Sequence, residues 1–95
     1  MINVIVCGAA GRMGSVIIKC LKEQKDMKLA GAVELQEFIH ICKAAGVTAV
    51  NSLDKVINSG DVMIDFSSPA VTLKNAGIAA KNKKPIIIGT TGLAK

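Results

Sequence analysis

Tryptophan and tyrosine are absent from this 95-residue chain, and phenylalanine occurs only twice. Without aromatic rings to fill space, a core has to be assembled from Ile, Val, Leu, Ala and Met, which is the composition of a sheet buried on both faces by helices. The same scarcity argues against nucleic acid as a partner, because single-strand binders stack bases on aromatic platforms and none can be built here. The 12 Lys and Arg exceed the 7 Asp and Glu, for a net charge of +5, which would attract an anionic ligand of any kind. The densest basic cluster, Lys81-Asn82-Lys83-Lys84, falls where a helix C-terminus is expected, and lysines there complement the helix dipole.

Other shortages exclude further classes. The three cysteines, Cys7, Cys20 and Cys42, are odd in number and show no C-x-x-C spacing, so they read as buried, reduced thiols of a cytoplasmic protein. No apolar run approaches the roughly 18 residues of a membrane span, and the opening "MINVIVCG" has neither a basic leader nor a cleavage site. The single histidine, His40, forms an H-x-C pair with Cys42, but residues two apart do not share a helix face. No metal site is expected from them, and no nucleophile and base can be paired into a catalytic set.

What is present has a clear order. Ile2 to Cys7 is a nearly continuous apolar run ending at Gly8, the pattern of a buried parallel strand. The period then changes: Met13, Val16, Ile17, Cys20 and Leu21 mark one apolar face of a helix, with Lys19, Lys22 and Glu23 opposite. Lys28 to Glu34 reads as a second strand, completing a βαβ unit, which is right-handed almost without exception. Beyond it, Phe38, Ile41, Cys42 and Ala45 have helical spacing with Gly46 as the stop. Val47 to Val50 is expected to be a short third strand, and Ser52 to cap a brief helix through Leu53, Val56 and Ile57. Val62 to Phe66 reads as a fourth strand, Ser67-Ser68-Pro69 as a helix start with proline in the first turn, and Leu73, Ala76, Gly77 and Ala80 as the buried helix face. Pro85 to Gly92 reads as a fifth strand opening into a polar turn. The fold class is therefore α/β, a Rossmann-type, mostly parallel sheet with helices on both faces, in one domain spanning residues 1–95.

The chemistry concentrates at the strand ends. A parallel strand that enters a glycine-rich turn and then a helix brings unpaired N–H groups and the positive end of a helix dipole to one point, where a pyrophosphate fits. The spacing is Gly8-x-x-Gly11-x-x-Gly14, with Ala10 in the middle position of the common G-x-G-x-x-G fingerprint. Taken alone, this is equally the composition of a tight strand-to-helix turn. Glu34 adds a carboxylate about 20 residues on, at the end of the second strand, where such folds hold the adenosine ribose. Arg12 at the helix start works against the dipole unless an anion lies nearby. Thr90 and Thr91 in "GTTG" end another strand, and either reach a ribose or a nicotinamide amide or serve only as a turn. Gly8, Glu34, Phe66 and Gly89 then all gather at one crevice outside the carboxyl ends of the sheet.

"GAAGRMG", "DFSSP" and "GTTG", in this order and each after a strand, together resemble the N-terminal nucleotide-binding domain of the dihydrodipicolinate reductase family, along nearly the whole chain. The resemblance implies an oxidoreductase of lysine and diaminopimelate biosynthesis that uses NADH or NADPH to reduce a cyclic dihydrodipicolinate precursor, as a homotetramer. It implies that Gly8, Ala9, Ala10, Gly11, Arg12 and Met13 wrap the pyrophosphate and that Glu34 holds the adenosine ribose. Phe66 and Ser67 would flank the cofactor, with Gly89, Thr90 and Thr91 along its nicotinamide half. Family members often carry an arginine after the ribose acid to receive the 2′-phosphate of NADPH. Here that position is Leu35, so NADH is the expected cofactor, with NADPH possible. The family's substrate domain and its catalytic motif find no counterpart in these residues, so the expectation is a cofactor-binding half that is inactive alone. A stand-alone NAD(H)-sensing module of the same fold is the competing expectation, and a degenerate domain that only mediates assembly is a third.

Overall fold

The structure is a computed structural model and describes residues 1–90. Its elements run β1 (Ile2–Cys7), α1 (Arg12–Lys22), β2 (Met27–Val33), α2 (Ile39–Ala44), β3 (Val62–Asp65), α3 (Pro69–Lys81) and β4 (Ile86–Ile88), with short 3-10 turns at Gln36–Phe38, Leu53–Lys55 and Ile57–Ser59. The strands form one sheet in the order β2-β1-β3-β4, and every neighbouring pair is parallel. Parallel pairing forces each connection to cross a face of the sheet, which is why helices alternate with strands in the sequence. The chain is thus a doubly wound Rossmann-type domain.

β1 lies at the centre and has the most continuous apolar run, Val4 to Cys7, all four residues buried. Its alternate side chains serve two cores, as the period of a strand requires. Val4 and Val6 face one layer with Ile18 and Leu21 of α1 and Cys42 of α2. Ile5 and Cys7 face the other with Met63, Ala79 of α3, and Leu53 and Ile57 from the 3-10 turns.

Four expectations are corrected. The third strand, Val47 to Val50, shrinks to a single parallel bridge between Val50 and Val33, held by Val50 N–H to Ala32 O and Glu34 N–H to Val50 O, each 2.9 Å. The chain then turns into two 3-10 segments where a brief helix was expected, because Leu53 and Ile57 must both reach the core within a short span. On α1, the buried residues are Gly14, Ile18 and Leu21, while Met13 and Val16 are about half exposed and Cys20 is exposed. The helix is rotated because it meets β1 at Gly14, where it approaches the preceding turn more closely than any side chain permits. A Cβ there would lie 2.1 Å from the carbonyl oxygen of Gly8.

On α3, the buried positions are Thr72, Asn75 and Ala79, whereas Leu73 is 71% exposed. Hydrophobicity misassigned this face because its polar residues are buried against a carboxylate, Asp65, that satisfies them. Pro69 does stand in the first turn, and Gly46, just past α2, has the positive φ of 79° that suits a helix stop.

The cysteines carry a direct test. Burial, then the negative charges of Asp65 and Glu34, push the Cys7 thiol up to about 12, and burial also raises Cys42. Since the thiolate is the reactive form, brief iodoacetamide treatment of the folded chain is expected to label Cys20 and to spare Cys7 and Cys42. All three should react after denaturation, with peptide mass spectrometry as the readout.

Candidate functional site

The sheet order places β1 between β2 and β3, so the connections from β1 and β3 leave towards opposite faces and a crevice opens between their carboxyl ends. A cleft of about 410 Å³ occupies this place. Gly8, Ala10 and Gly11 form its floor, Glu34 and Leu35 one side, and Phe66, Ser67 and Ser68 the other.

The floor is shaped by close approach. Gly8 has φ 83°, and a Cβ there would stand 2.6 Å from the carbonyl oxygen of Phe66, so glycine alone lets the turn pass beneath the β3 loop. Gly11 N–H donates to Gly8 O at 3.0 Å, which tightens the turn. α1 then begins at Arg12 with no side-chain cap. Helix geometry leaves the N–H groups of Arg12, Met13 and Gly14 without intrahelical acceptors at the positive end of the dipole.

Glu34 is fastened to this floor. One carboxylate oxygen accepts Ala10 N–H at 2.8 Å, and the other accepts the N–H of Leu35 at 2.9 Å. Each oxygen keeps a free lone pair, so a carboxylate of fixed orientation faces the cleft. Beyond it, Leu35, Phe38 and Ile41 line an apolar stretch with Asn51 and Ser52. Phe38 and Ile41 do have the helical spacing expected of them, but they are directed to the cleft and remain about two-fifths exposed.

The opposite wall rests on Asp65, which is fully buried. Its Oδ1 accepts Ser67 N–H at 2.8 Å, Ser67 Oγ at 2.5 Å, Thr72 Oγ1 at 3.0 Å and Thr90 Oγ1 at 3.2 Å. Its Oδ2 accepts Asn75 Nδ2 at 3.0 Å. Burial pushes the Asp65 carboxyl up, but the hydrogen bonds from Ser67, Asn75 and Thr72 outweigh it and hold the group below its ordinary value. A carboxyl whose pKa is lower folded than unfolded stabilises the fold fully above the unfolded value of about 4 and loses that contribution as pH falls through the folded value. The urea midpoint is therefore expected to fall between pH 5 and pH 2. In Asp65→Asn the midpoint should be lower at pH 6, with this carboxylate's share of the acid limb missing.

The sequence-derived site residues divide into three groups. Gly8, Ala10, Gly11, Glu34, Phe66 and Ser67 line one cleft. Ala9 is buried in the core beside them, while Arg12 and Met13 sit exposed at the start of α1. Gly89 and Thr90 are half-buried and tied to Asp65, through Gly89 N–H to Asp65 O at 2.8 Å and the Thr90 hydroxyl. Thr91 lies outside the described residues. Sequence reasoning missed Asn51, Ser52, Val71, Lys74 and Asn75 in the cleft lining. It looked to Arg12 for a cation, whereas among the described residues lining the cleft the cation is Lys74. Its one sequence signal is that it follows Val71 by three positions on the same helix face.

Fold and crevice together define a Rossmann-type α/β domain, and solved structures share the architecture. A myo-inositol dehydrogenase from Corynebacterium glutamicum superposes with a TM-score of 0.72 at 23% identity, covering 93% of this chain and 27% of that one. A semialdehyde dehydrogenase NAD-binding protein from Cupriavidus necator, in complex with calcium and NAD, gives 0.71 at 22% identity over 93% of this chain and 33% of its own. Within this class the chain belongs to the family described as "Dihydrodipicolinate reductase, N-terminus", which it matches over residues 2–95. Its relatives include the 4-hydroxy-tetrahydrodipicolinate reductases of Geotalea uraniireducens, 40% identical over 97% of this chain, and Campylobacter curvus, 39% identical over 98%. The chain spans 38% and 36% of the lengths of these two relatives. Among the described residues, no helix is long and apolar enough to cross a membrane.

Proposed function

We propose that this chain is the nicotinamide-dinucleotide-binding part of a 4-hydroxy-tetrahydrodipicolinate reductase, and that it binds the cofactor without turning over substrate by itself. The observation that carries the reading is the Glu34 carboxylate fastened to Ala10 N–H in the glycine turn. It brings a ribose acceptor and a phosphate cradle into one cleft. Gly8, Ala9, Ala10, Gly11 and the first-turn N–H groups of Arg12 and Met13 would receive the pyrophosphate, and Glu34 the adenosine ribose. Leu35, Phe38 and Ile41 offer an apolar bed for the adenine. Phe66, Ser67, Gly89, Thr90 and Thr91 would flank the nicotinamide half, and Lys74 adds positive charge to the wall. When bound, the cofactor supplies the hydride, and the protein's part is to bind and orient it.

A carboxylate beside Leu35 accepts free 2′- and 3′-hydroxyls and repels a 2′-phosphate, so NADH is the preferred cofactor and NADPH the weaker one. The remaining chemistry, reduction of a cyclic dihydrodipicolinate precursor in lysine and diaminopimelate biosynthesis, belongs with a substrate domain that is the partner of this one in a cytoplasmic homotetramer. Titration of the 95-residue chain with NADH, followed by nicotinamide fluorescence, should saturate, and NADPH should bind more weakly. Absence of saturable binding would overturn the reading, and reductase turnover by the chain alone would overturn its second half.

A further inference from the structure

We propose that Asp65 is a positioning residue for the nicotinamide half of the site, holding the Gly89–Thr90 main chain in place through the Thr90 side chain. This rests on the reading of the cleft as a dinucleotide site. It goes further in assigning a task to a carboxylate that does not line the cleft, and in removing the hydroxyls of Ser67 and Thr90 from the groups that touch the ligand.

Ser67, Thr72 and Thr90 each carry one hydroxyl proton. The Ser67 hydroxyl donates to Asp65 Oδ1 at 2.5 Å. Thr72 Oγ1 lies 2.7 Å from Thr90 Oγ1 and 3.0 Å from Asp65 Oδ1, and Thr90 Oγ1 lies 3.2 Å from Asp65 Oδ1. Thr72 donates across the 2.7 Å contact to Thr90, its one proton shared with Asp65 Oδ1, Thr90 donates on to Asp65, and Ser67 donates to Asp65 separately. All three protons then stay inside the cluster, and a charged acceptor in a buried site keeps them there. Thr90 has main chain left to offer a ligand, and Ser67, whose N–H also goes to Asp65, has its carbonyl; the position of both is set from below.

Two further contacts make the wall one unit. Gly89 N–H donates to Asp65 O at 2.8 Å, and the Phe66 ring packs so close to Gly89 that a Cβ there would be 2.1 Å from its Cε1. Asp65 also reaches α3 through Asn75, a residue that lines the cleft. One carboxylate thus ties together the β3 loop, α3 and the turn after β4. The Glu34 wall, fastened by its own bonds to Ala10 and Leu35, shares none of these contacts.

That separation supplies the test. The chain and its variants Asp65→Asn and Thr90→Val are titrated with NADH and with ADP-ribose, which lacks the nicotinamide, while circular dichroism confirms that each is folded. The expected result is that Thr90→Val and Asp65→Asn weaken NADH by about tenfold and leave ADP-ribose within about twofold, and that the double variant loses no more than Asp65→Asn. A folded Thr90→Val that binds NADH as the parent does would overturn the inference, as would parallel loss of NADH and ADP-ribose. Should Asp65→Asn fail to fold, Thr90→Val decides by itself. If the unmodified chain binds neither ligand, the dinucleotide reading falls and this inference with it. If it binds both equally well, only this inference falls.

Discussion

Gly14→Ala is expected to destabilise the chain by about 3 kcal/mol, whereas Gly77→Ala, the same change on α3, is expected to stabilise it by about 0.5–1 kcal/mol. A methyl group at position 14 would stand 2.1 Å from Gly8 O and 2.9 Å from its carbonyl carbon. These atoms belong to a turn anchored by Gly8 N–H to Val33 O at 2.9 Å, so the helix must lift off β1 and lose packing at Ile18 and Leu21. At Gly77 a Cβ meets nothing within 4 Å, and only the reduced freedom of the unfolded chain is felt. Small domains are stable by about 5–15 kcal/mol in total, so the first variant is expected to lose a large share of its margin. Urea denaturation of the three proteins under one set of conditions measures both signs. A Gly14→Ala chain as stable as the parent would show that α1 does not sit on the glycine turn.

Those two glycines also show how far the sequence could be read. Spacing identified the strand, turn and helix around Gly14 because a buried parallel strand and an amphipathic helix have different periods. It placed the helix face one residue off because periodicity ranks residues by hydrophobicity, and glycine has no side chain to rank. On α3 the same rule chose Leu73 and Gly77 over Thr72 and Asn75, since burial there depends on Asp65, which is distant from Asn75 in sequence but in hydrogen-bond contact with it. Glu34 was legible because its distance from the glycine turn is fixed by the length of a βαβ unit. Lys74 was not, because which face of α3 borders the cleft is decided by that same buried cluster. The third strand failed for a different reason: the four residues from Val47 to Val50 are enough for one bridge to Val33, and the core's need for Leu53 and Ile57 turns the chain away.

Glu34→Ala is expected to weaken NADH binding by ten- to a hundredfold, since hydrogen bonds to a charged acceptor contribute about 1.5–3 kcal/mol. NADPH should lose less, because the change also removes a negative charge that opposes the 2′-phosphate, so the ratio of the two affinities moves towards NADPH. Glu34→Gln separates the contributions. Its amide oxygen can still accept Ala10 N–H, as Oε1 does at 2.8 Å, which keeps the turn in place while the charge is gone. Calorimetric titration of the chain and both variants with each cofactor provides the comparison. An unchanged ratio in both variants would show that the carboxylate does not face the 2′ position.

The strand order has a consequence for how the two walls of the cleft come into being. β1 pairs with β2 through a connection containing only α1, whereas its pairing with β3 closes a loop about twice as long. In chain-entropy terms the second closure costs about 0.7 kcal/mol more than the first, so the β1–α1–β2 unit closes at lower entropic cost. The bond from Ala10 to Glu34 lies wholly inside that unit. The half of the cleft that carries the glycine turn and Glu34 is thus encoded in the first 34 residues and can assemble from local contacts. The half built on Asp65 waits for the arrival of β3 and β4.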